Sequence, residues 1–368
     1  MNDLNLKHGF KFEDLFESAK LRELTNNFYE YYGKTDPVSF EKFAKYRDAR
    51  GEGFDELEIS NLVIESARYL DEFTADFFNI TKEAEALKNA NEDERAILKV
   101  RSDFMIKRVF KKFKPADLAG MNFNELNNKI DLVKNNLFSD MPWSTDEERS
   151  TAFMIRGLEH LEQHLKNHLE VMPNGCNFDD RHFTKANEYY SKAAATDGIK
   201  DLTDNIVIKE YKNTAGTDEQ KRVYEFLKNT MELIQKWCYA KMNDAAQKHI
   251  VNGWALFKQP MNLDYNNLVH NKVETEGIPE KIYGEEETLR RRDGFKLTDS
   301  RYSNREVMSE VEYCVFCHER KKDSCSKGLL EKDGTPKRNP LGIKLAGCPL
   351  DEKIPEMHTL KYEGKSIG

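Results

Sequence analysis

The 368-residue chain is 39% apolar and 33% charged, enough apolar material for one large core or two smaller ones. Its formal net charge of −8 argues against a nucleic-acid-binding surface over the whole molecule, where a basic balance is expected. No apolar run approaches the length of a membrane span, and Met1 to Phe16 lacks the basic-then-apolar order of a secretory signal, so the reading is of a cytoplasmic protein. In that compartment thiols stay reduced, and clustered cysteines read as metal ligands before disulfides.

In chain order, apolar residues at three-and-four spacing predict helices nearly throughout residues 12–260. Phe12, Leu15, Phe16 and Ala19 begin the pattern, and Leu24, Phe28 and Tyr31 continue it. Ile59, Leu62, Val63, Ala67, Leu70, Phe73 and Phe77 form a second stripe, and Ile97, Val100, Phe104 and Val109 a third. Capping boxes mark two helix starts, Ser144 with Glu147 and Thr217 with Gln220. The second opens the longest stripe, from Val223 through Phe226, Met231, Ile234 and Cys238 to Ile250. Proline and glycine interrupt the pattern at Lys114-Pro115, Met141-Pro142 and Met172-Pro173-Asn174-Gly175.

These signals predict a helical domain over 1–258, divisible near 115–142 or 172–176, then an extended, turn-rich connector over 259–303. A short helical pattern at Glu306–Phe316 runs into the first clustered cysteines, and another lies near Pro355–Tyr362. No internal repeat is visible. No G-x-G-x-x-G follows a strand pattern, and Gly51-Glu-Gly53 lies among helices, so no flavin or nicotinamide site of that fold is encoded.

The six cysteines are unevenly placed. Cys176 and Cys238 stand alone, whereas Cys314, Cys317, Cys325 and Cys348 fall within thirty-five residues. The spacing is C-x2-C, seven residues to Cys325, and twenty-two to Cys348, which precedes Pro349. Two residues between cysteines let one turn of chain aim both sulfurs at a common centre, and soft thiolates select zinc or iron–sulfur clusters over hard cations. A terminal Cys-Pro is a ferredoxin habit, whereas zinc modules more often repeat the C-x2-C pair. Between Cys314 and Cys348 lie eight basic and four acidic residues, a balance that would stabilise an anionic cluster and is equally that of a solvated loop.

Tyr313-Cys-Val-Phe-Cys317, Cys325, Gly347-Cys-Pro-Leu350 and Ile354-Pro355-Glu356 resemble the iron–sulfur domain of the glutamate synthase small subunit and dihydropyrimidine dehydrogenase. The likeness covers 313 to about 358, with a longer gap before Cys325 and an insertion before Cys348. Arg290-Arg-Arg-Asp-Gly-Phe295 extends it to the front of large bacterial FAD-dependent oxidoreductases of the pyridine nucleotide-disulfide type. The resemblance implies a mainly α protein whose helical N-terminal domain precedes a small α-helical, ferredoxin-like iron–sulfur segment over 304–368. It implies a [4Fe–4S] cluster on Cys314, Cys317, Cys325 and Cys348, and electron transfer to FAD- and NAD(P)-binding domains or a subunit outside this chain. If Cys348 ligates a second cluster, as in two-cluster ferredoxins, further ligands lie after Gly368 and the segment is truncated. One cluster on all four cysteines is the simpler alternative. The rival reading, of another class, is a non-redox helical interaction protein with a structural zinc site.

Other candidates read more plainly. His160, His164 and His168 recur every four residues and could share a metal, but beside a leucine stripe they read as a polar helix face. Cys238 reads as a buried apolar residue and Cys176 as a turn residue, neither with an evident base. His318 and His358 flank the cysteines. Arg290 to Arg292, next to Glu285 to Glu287, read as a self-paired charge run.

Overall fold

Three helices lead the chain: α1 (Ser18–Thr35), α2 (Pro37–Asp48) and α3 (Glu56–Phe77). Each start has a chemical reason. Asp36 caps α2 by accepting from the Ser39 N–H at 3.0 Å, with Pro37 at the first helical position, where its missing N–H costs nothing. Asp55 and Glu58 form a reciprocal capping box on α3. The aromatic surplus of this region packs inward: Phe28, Tyr32 and Phe73 are buried against Tyr69, Phe40 and Phe43. The Tyr32 and Tyr69 rings stack at 4.4 Å, and Tyr69 donates to Asp36 at 3.0 Å. Phe12–Phe16, expected to begin the helical pattern, is instead a short 3₁₀ turn with Phe16 exposed.

The structure is a computed structural model that describes residues 6–140, 145–171, 180–204, 206–212, 216–259, 264–266, 268, 271–275, 281–284, 294–295 and 301–365. After α3 come α4 (Thr81–Val100), which continues as a wider π-helical stretch through Phe110, then α5 (Phe123–Leu137), α6 (Glu147–Lys166) and α7 (Asp180–Ala194). A single turn, α8 (Asp201–Asp204), precedes the long α9 (Asp218–Asn243), and α10 (Lys248–Val251) follows it. The Thr217–Gln220 capping box is present, with Thr217 N–H donating to Gln220 at 2.9 Å. Ser144 lies outside the described residues, and the helix it was expected to open starts at Glu147 behind an Asp146 cap.

The predicted stripes become the main core. Ile97, Phe104 and Val109 meet Ile130, Leu158, Phe226, Ile234 and Trp237 in one continuous cluster. Each such large apolar side chain contributes about 2 kcal/mol on burial. Cys238 is fully buried within it, as the stripe predicts. The expectation of a mainly α protein holds. The only sheet among the described residues is a hairpin, β1 (Lys272–Glu274) antiparallel to β2 (Lys281–Tyr283), inside the stretch expected as a connector. No helix among the described residues is long and apolar enough to cross a membrane.

The tail returns to the body through α11 (Asn304–Val311), α12 (Ser324–Lys327) and α13 (Ile354–Tyr362). The helix expected over 306–316 ends at Val311, and the chain then turns through a left-handed Phe316 (φ 45°) before Cys317. Met308 of α11 is buried with Leu98 of α4 and Ala255. Beside that contact, Arg305 reaches three carboxylates: Glu94 at 2.7 Å, Asp146 at 2.6 Å and Glu148 at 2.8 Å. Burial works against its charge, but these partners outweigh it and hold the guanidinium well above its ordinary range. Burial pushes the Glu148 carboxyl up, opposed by the Leu256 N–H and Arg305.

Removing one partner of a buried ion network strands the others. Arg305→Met is therefore expected to lower stability by about 3 kcal/mol in chemical denaturation. Lys45→Met, which breaks an exposed pair with Glu41, is expected to change it by less than about 0.5 kcal/mol.

Candidate functional site at the cysteine clasp

The four clustered cysteines lie in a segment with few apolar anchors. Between Tyr313 and Lys353 the chain forms a 3₁₀ turn (Cys317–Arg320), the single turn α12 and two isolated bridges, Leu330 with Pro336 and Arg338 with Lys344. Val315, Leu329, Leu330, Leu341, Ile343 and Leu350 are exposed. The 3₁₀ turn packs against α3 and α13.

Local geometry around the first two thiols suits a thiolate. The Phe316 N–H donates to Cys314 Sγ at 3.4 Å, and the Ser324 N–H to Cys317 Sγ at 3.4 Å. Cys317 is buried, Cys314 half-buried and Cys325 exposed. Burial pushes the Cys314 thiol up, with the neighbouring Cys317 adding to the shift. Burial likewise raises Cys325, and both Cys317 and Cys314 add to it. The fold thus brings these three sulfurs into one electrostatic neighbourhood.

Backbone contact places Cys348. Its N–H donates to the Cys325 carbonyl at 2.9 Å. The preceding Gly347 (φ 79°) lies against Gly328 (φ 82°) so closely that a Cβ on Gly347 would stand 2.3 Å from the Gly328 nitrogen. Asp323 locks the other side: it caps α12 through the Ser326 N–H at 3.2 Å and pairs with Lys353 at 3.0 Å. Two of the eight basic residues that the sequence suggested as a surround for an anionic cluster pair with carboxylates instead. Lys321 pairs with Asp55 at 2.9 Å, and Lys327 with Asp351 at 2.8 Å and with Glu56 at 3.8 Å.

Two further groups belong to the clasp. His318, 4% exposed, has a buried Nδ1 without a hydrogen-bond partner. Glu356, 2% exposed, accepts from Ser60 of α3 at 2.7 Å through one oxygen, while its other oxygen is buried and unpartnered. Its charge raises both Cys314 and Cys325. Sequence reasoning quoted Glu356 only as part of a motif; its pairing with a residue 296 positions away left no local signal. Among the described residues, no group of three or more His, Cys, Asp or Glu side chains is assembled as a formed metal site.

The other candidates separate. His182 of α7, not singled out from sequence, lies against His160 and His164 with ring centroids at 4.7 and 4.4 Å. His168 is buried elsewhere, its Nε2 3.2 Å from Gln220 of the α9 capping box. Cys176, Glu285 to Glu287 and Arg290 to Arg292 lie outside the described residues. On the same helix as the histidines, burial pushes the Glu159 carboxyl up to about 7 from its ordinary 4.5, with Arg108 opposing and Glu162 reinforcing.

Residues 6–79 match a family model described as the RP005 N-terminal alpha-helical domain. The match spans α1 to α3 and the short segment before them. An uncharacterized protein, RP005 of Rickettsia prowazekii (strain Madrid E), is 32% identical over 118 residues, 29% of this chain and 36% of the relative. The chain thus covers little more than a third of that relative's length. No solved structure matches.

These matches correct the reading drawn from the tail. The likeness found is to the RP005 N-terminal helical domain. The resemblance to the glutamate synthase small subunit and dihydropyrimidine dehydrogenase, and to FAD-dependent oxidoreductases, does not stand. The iron–sulfur, [4Fe–4S], electron-transfer and oxidoreductase assignments carried by it fall with it. The physical reason lies in the motif: a C-x2-C turn and a Cys-Pro are short devices that any thiol-bearing loop can use.

Two expectations follow. Gly347→Ala would force the 347–348 backbone off Gly328, at a cost on the order of 1–3 kcal/mol localised to the clasp. Hydrogen exchange at the Cys348 N–H should accelerate at least about tenfold while protection in α9 is unchanged. For Glu159, the folded chain keeps a proton that the unfolded chain releases between pH 4.5 and about 7, so stability falls as pH rises through that window. Glu159→Gln should remove about 2 kcal/mol of that decline, measured by denaturation at pH 4.5 and pH 8.

Proposed function

We propose that the chain is a non-redox helical interaction protein whose carboxy-terminal clasp is fastened by a structural zinc ion on Cys314, Cys317, Cys325 and Cys348. The observation that supports this reading best is the grouping of three thiols, two of them receiving backbone N–H bonds, in a segment without an apolar core. Segments too small to bury enough apolar surface usually need a covalent or metal staple. Zinc accepts four thiolates in a tetrahedron, and binding it supplies folding free energy directly. Cys348 is brought to the set by its backbone bond to Cys325 and by the Gly328–Gly347 contact. The unpartnered His318 Nδ1 suits a group that orients ligands around such an ion. A reducing compartment such as the cytoplasm fits the five described cysteines, none of which is in a disulfide.

Metal analysis of the full chain purified anaerobically tests the proposal. The expected result is about one zinc per chain and a colourless sample. Zinc should be lost in Cys314→Ser and Cys317→Ser and kept in Cys238→Ser. A brown sample holding iron and sulfide, or full zinc in the Cys317 variant, would overturn it.

A further inference from the structure

Between α3, α11 and α13 lies a cavity of about 580 Å³. Its walls are largely apolar: Val63 and Ala67 of α3, Val307 and Val311 of α11, and Leu360 of α13. A cavity of this size and lining, with a few polar groups at its edge, is the usual form of a small-molecule site.

Most of the charges at its edge already have partners. Glu310 pairs with Lys258, Lys353 with Asp323 at 3.0 Å, and Lys365 with Glu72 at 2.8 Å. Lys361 differs. Its Nζ donates to Asn304 Oδ1 at 3.2 Å, and no carboxylate among the described residues lies within ion-pair distance. Burial alone holds its ammonium below the usual range. One turn earlier, His358 lines the same cavity with a buried Nδ1 that has no partner. A part-buried cation without a counter-charge is costly, and an arriving anion would relieve that cost. Glu356 is the opposing group. It also lines the cavity: Ser60 holds one of its oxygens, the other is buried without a partner, and its field is felt at Cys314 and Cys325 as well.

We propose that this cavity binds a small amphipathic carboxylate, with its tail along Val63, Ala67, Val307 and Val311 and its carboxylate paired with Lys361. A single uncompensated ammonium matches a monoanion. The apolar wall, formed by three helices, matches an unbranched or lightly branched hydrocarbon body.

Decanoate is a suitable probe, titrated calorimetrically into the full chain below its micellar range, with decanol and decylamine as matched controls. The expected result is saturable binding of about one decanoate per chain, at least about tenfold tighter than decanol. Lys361→Met should abolish the preference over decanol, and Lys361→Arg should retain it. Ala67→Phe, which fills the cavity from α3, should weaken decanoate at least about tenfold while the unliganded variant still melts cooperatively. Three outcomes would overturn the proposal: no saturable decanoate binding to the unmodified chain, equal affinity for decanol, or decanoate affinity unchanged in Ala67→Phe. Tighter binding of decylamine would do the same, since it would make Glu356 the recognising group.

Discussion

One guanidinium fastens the start of the carboxy-terminal segment to the helical body. Arg305, in the first turn of α11, meets Glu94 of α4 and both Asp146 and Glu148 at the start of α6. Two of these carboxylates have a second task. Asp146 also caps α6 through the Arg149 N–H, and Glu148 accepts the Leu256 N–H at 2.6 Å, fixing the 3₁₀ turn after α10. Four chain segments therefore converge on one planar cation. Three acids grouped this closely would repel one another without it, and only a fork with several fixed N–H vectors can serve all three at once. Lysine offers the charge but not the geometry.

What lies beyond Arg305 inherits its position. One turn on, Ser309 accepts from the buried Arg101 at 2.9 Å, and the Arg101 guanidinium also lies over the Tyr313 ring at 5.0 Å. Tyr313 adjoins Cys314, so the first thiol is located by contacts made in the body. At the far end, α13 is tied to α3 through Ser60 with Glu356 and Arg68 with Glu363, the latter pair bidentate. The clasp thus has two anchors, one polar network at each end, and almost no apolar contact of its own. The body is held in the opposite way, by a continuous apolar cluster with charges mostly at its margins.

That contrast explains which parts were legible in the sequence. The stripe from Val223 to Cys238 became α9, and Thr217 with Gln220 capped it, because both signals are local and periodic. Mainly α architecture follows from such stripes alone. The start expected at Ser144 came two residues late in its cap, because acids also cap helices and Asp146 is held by Arg305 as well. The helix expected to run into Cys317 stopped at Val311, and the left-handed Phe316 beyond it has no glycine to signal a turn. The cysteine spacing pointed to a grouping of thiols. It did not give the family, because so short a pattern specifies a turn and not an ancestry. The Ser60–Glu356 bond, the Gly328–Gly347 contact and the meeting of His182 with His160 and His164 join residues far apart in sequence, where no periodicity operates.

The same helix, α13, borders both the thiols and the apolar cavity, which raises the question of whether the two communicate. Energetic coupling between sites requires an element with two arrangements that both sites bias. Helix α13 is fixed at its start by Ser60 and at its end by Arg68, while Lys365 just beyond it pairs with Glu72. Its buried Leu360 leaves little room for translation. The cavity is lined by α11, the middle of α3 and α13 from its first turn onward, whereas the turn that carries Cys317 packs against α3 and α13. With the helix held at both ends, a ligand filling the cavity would press on side chains already in place and would not shift the backbone that carries Glu356. The geometry therefore favours independence of the two proposed sites, with Glu356 as the residue they share.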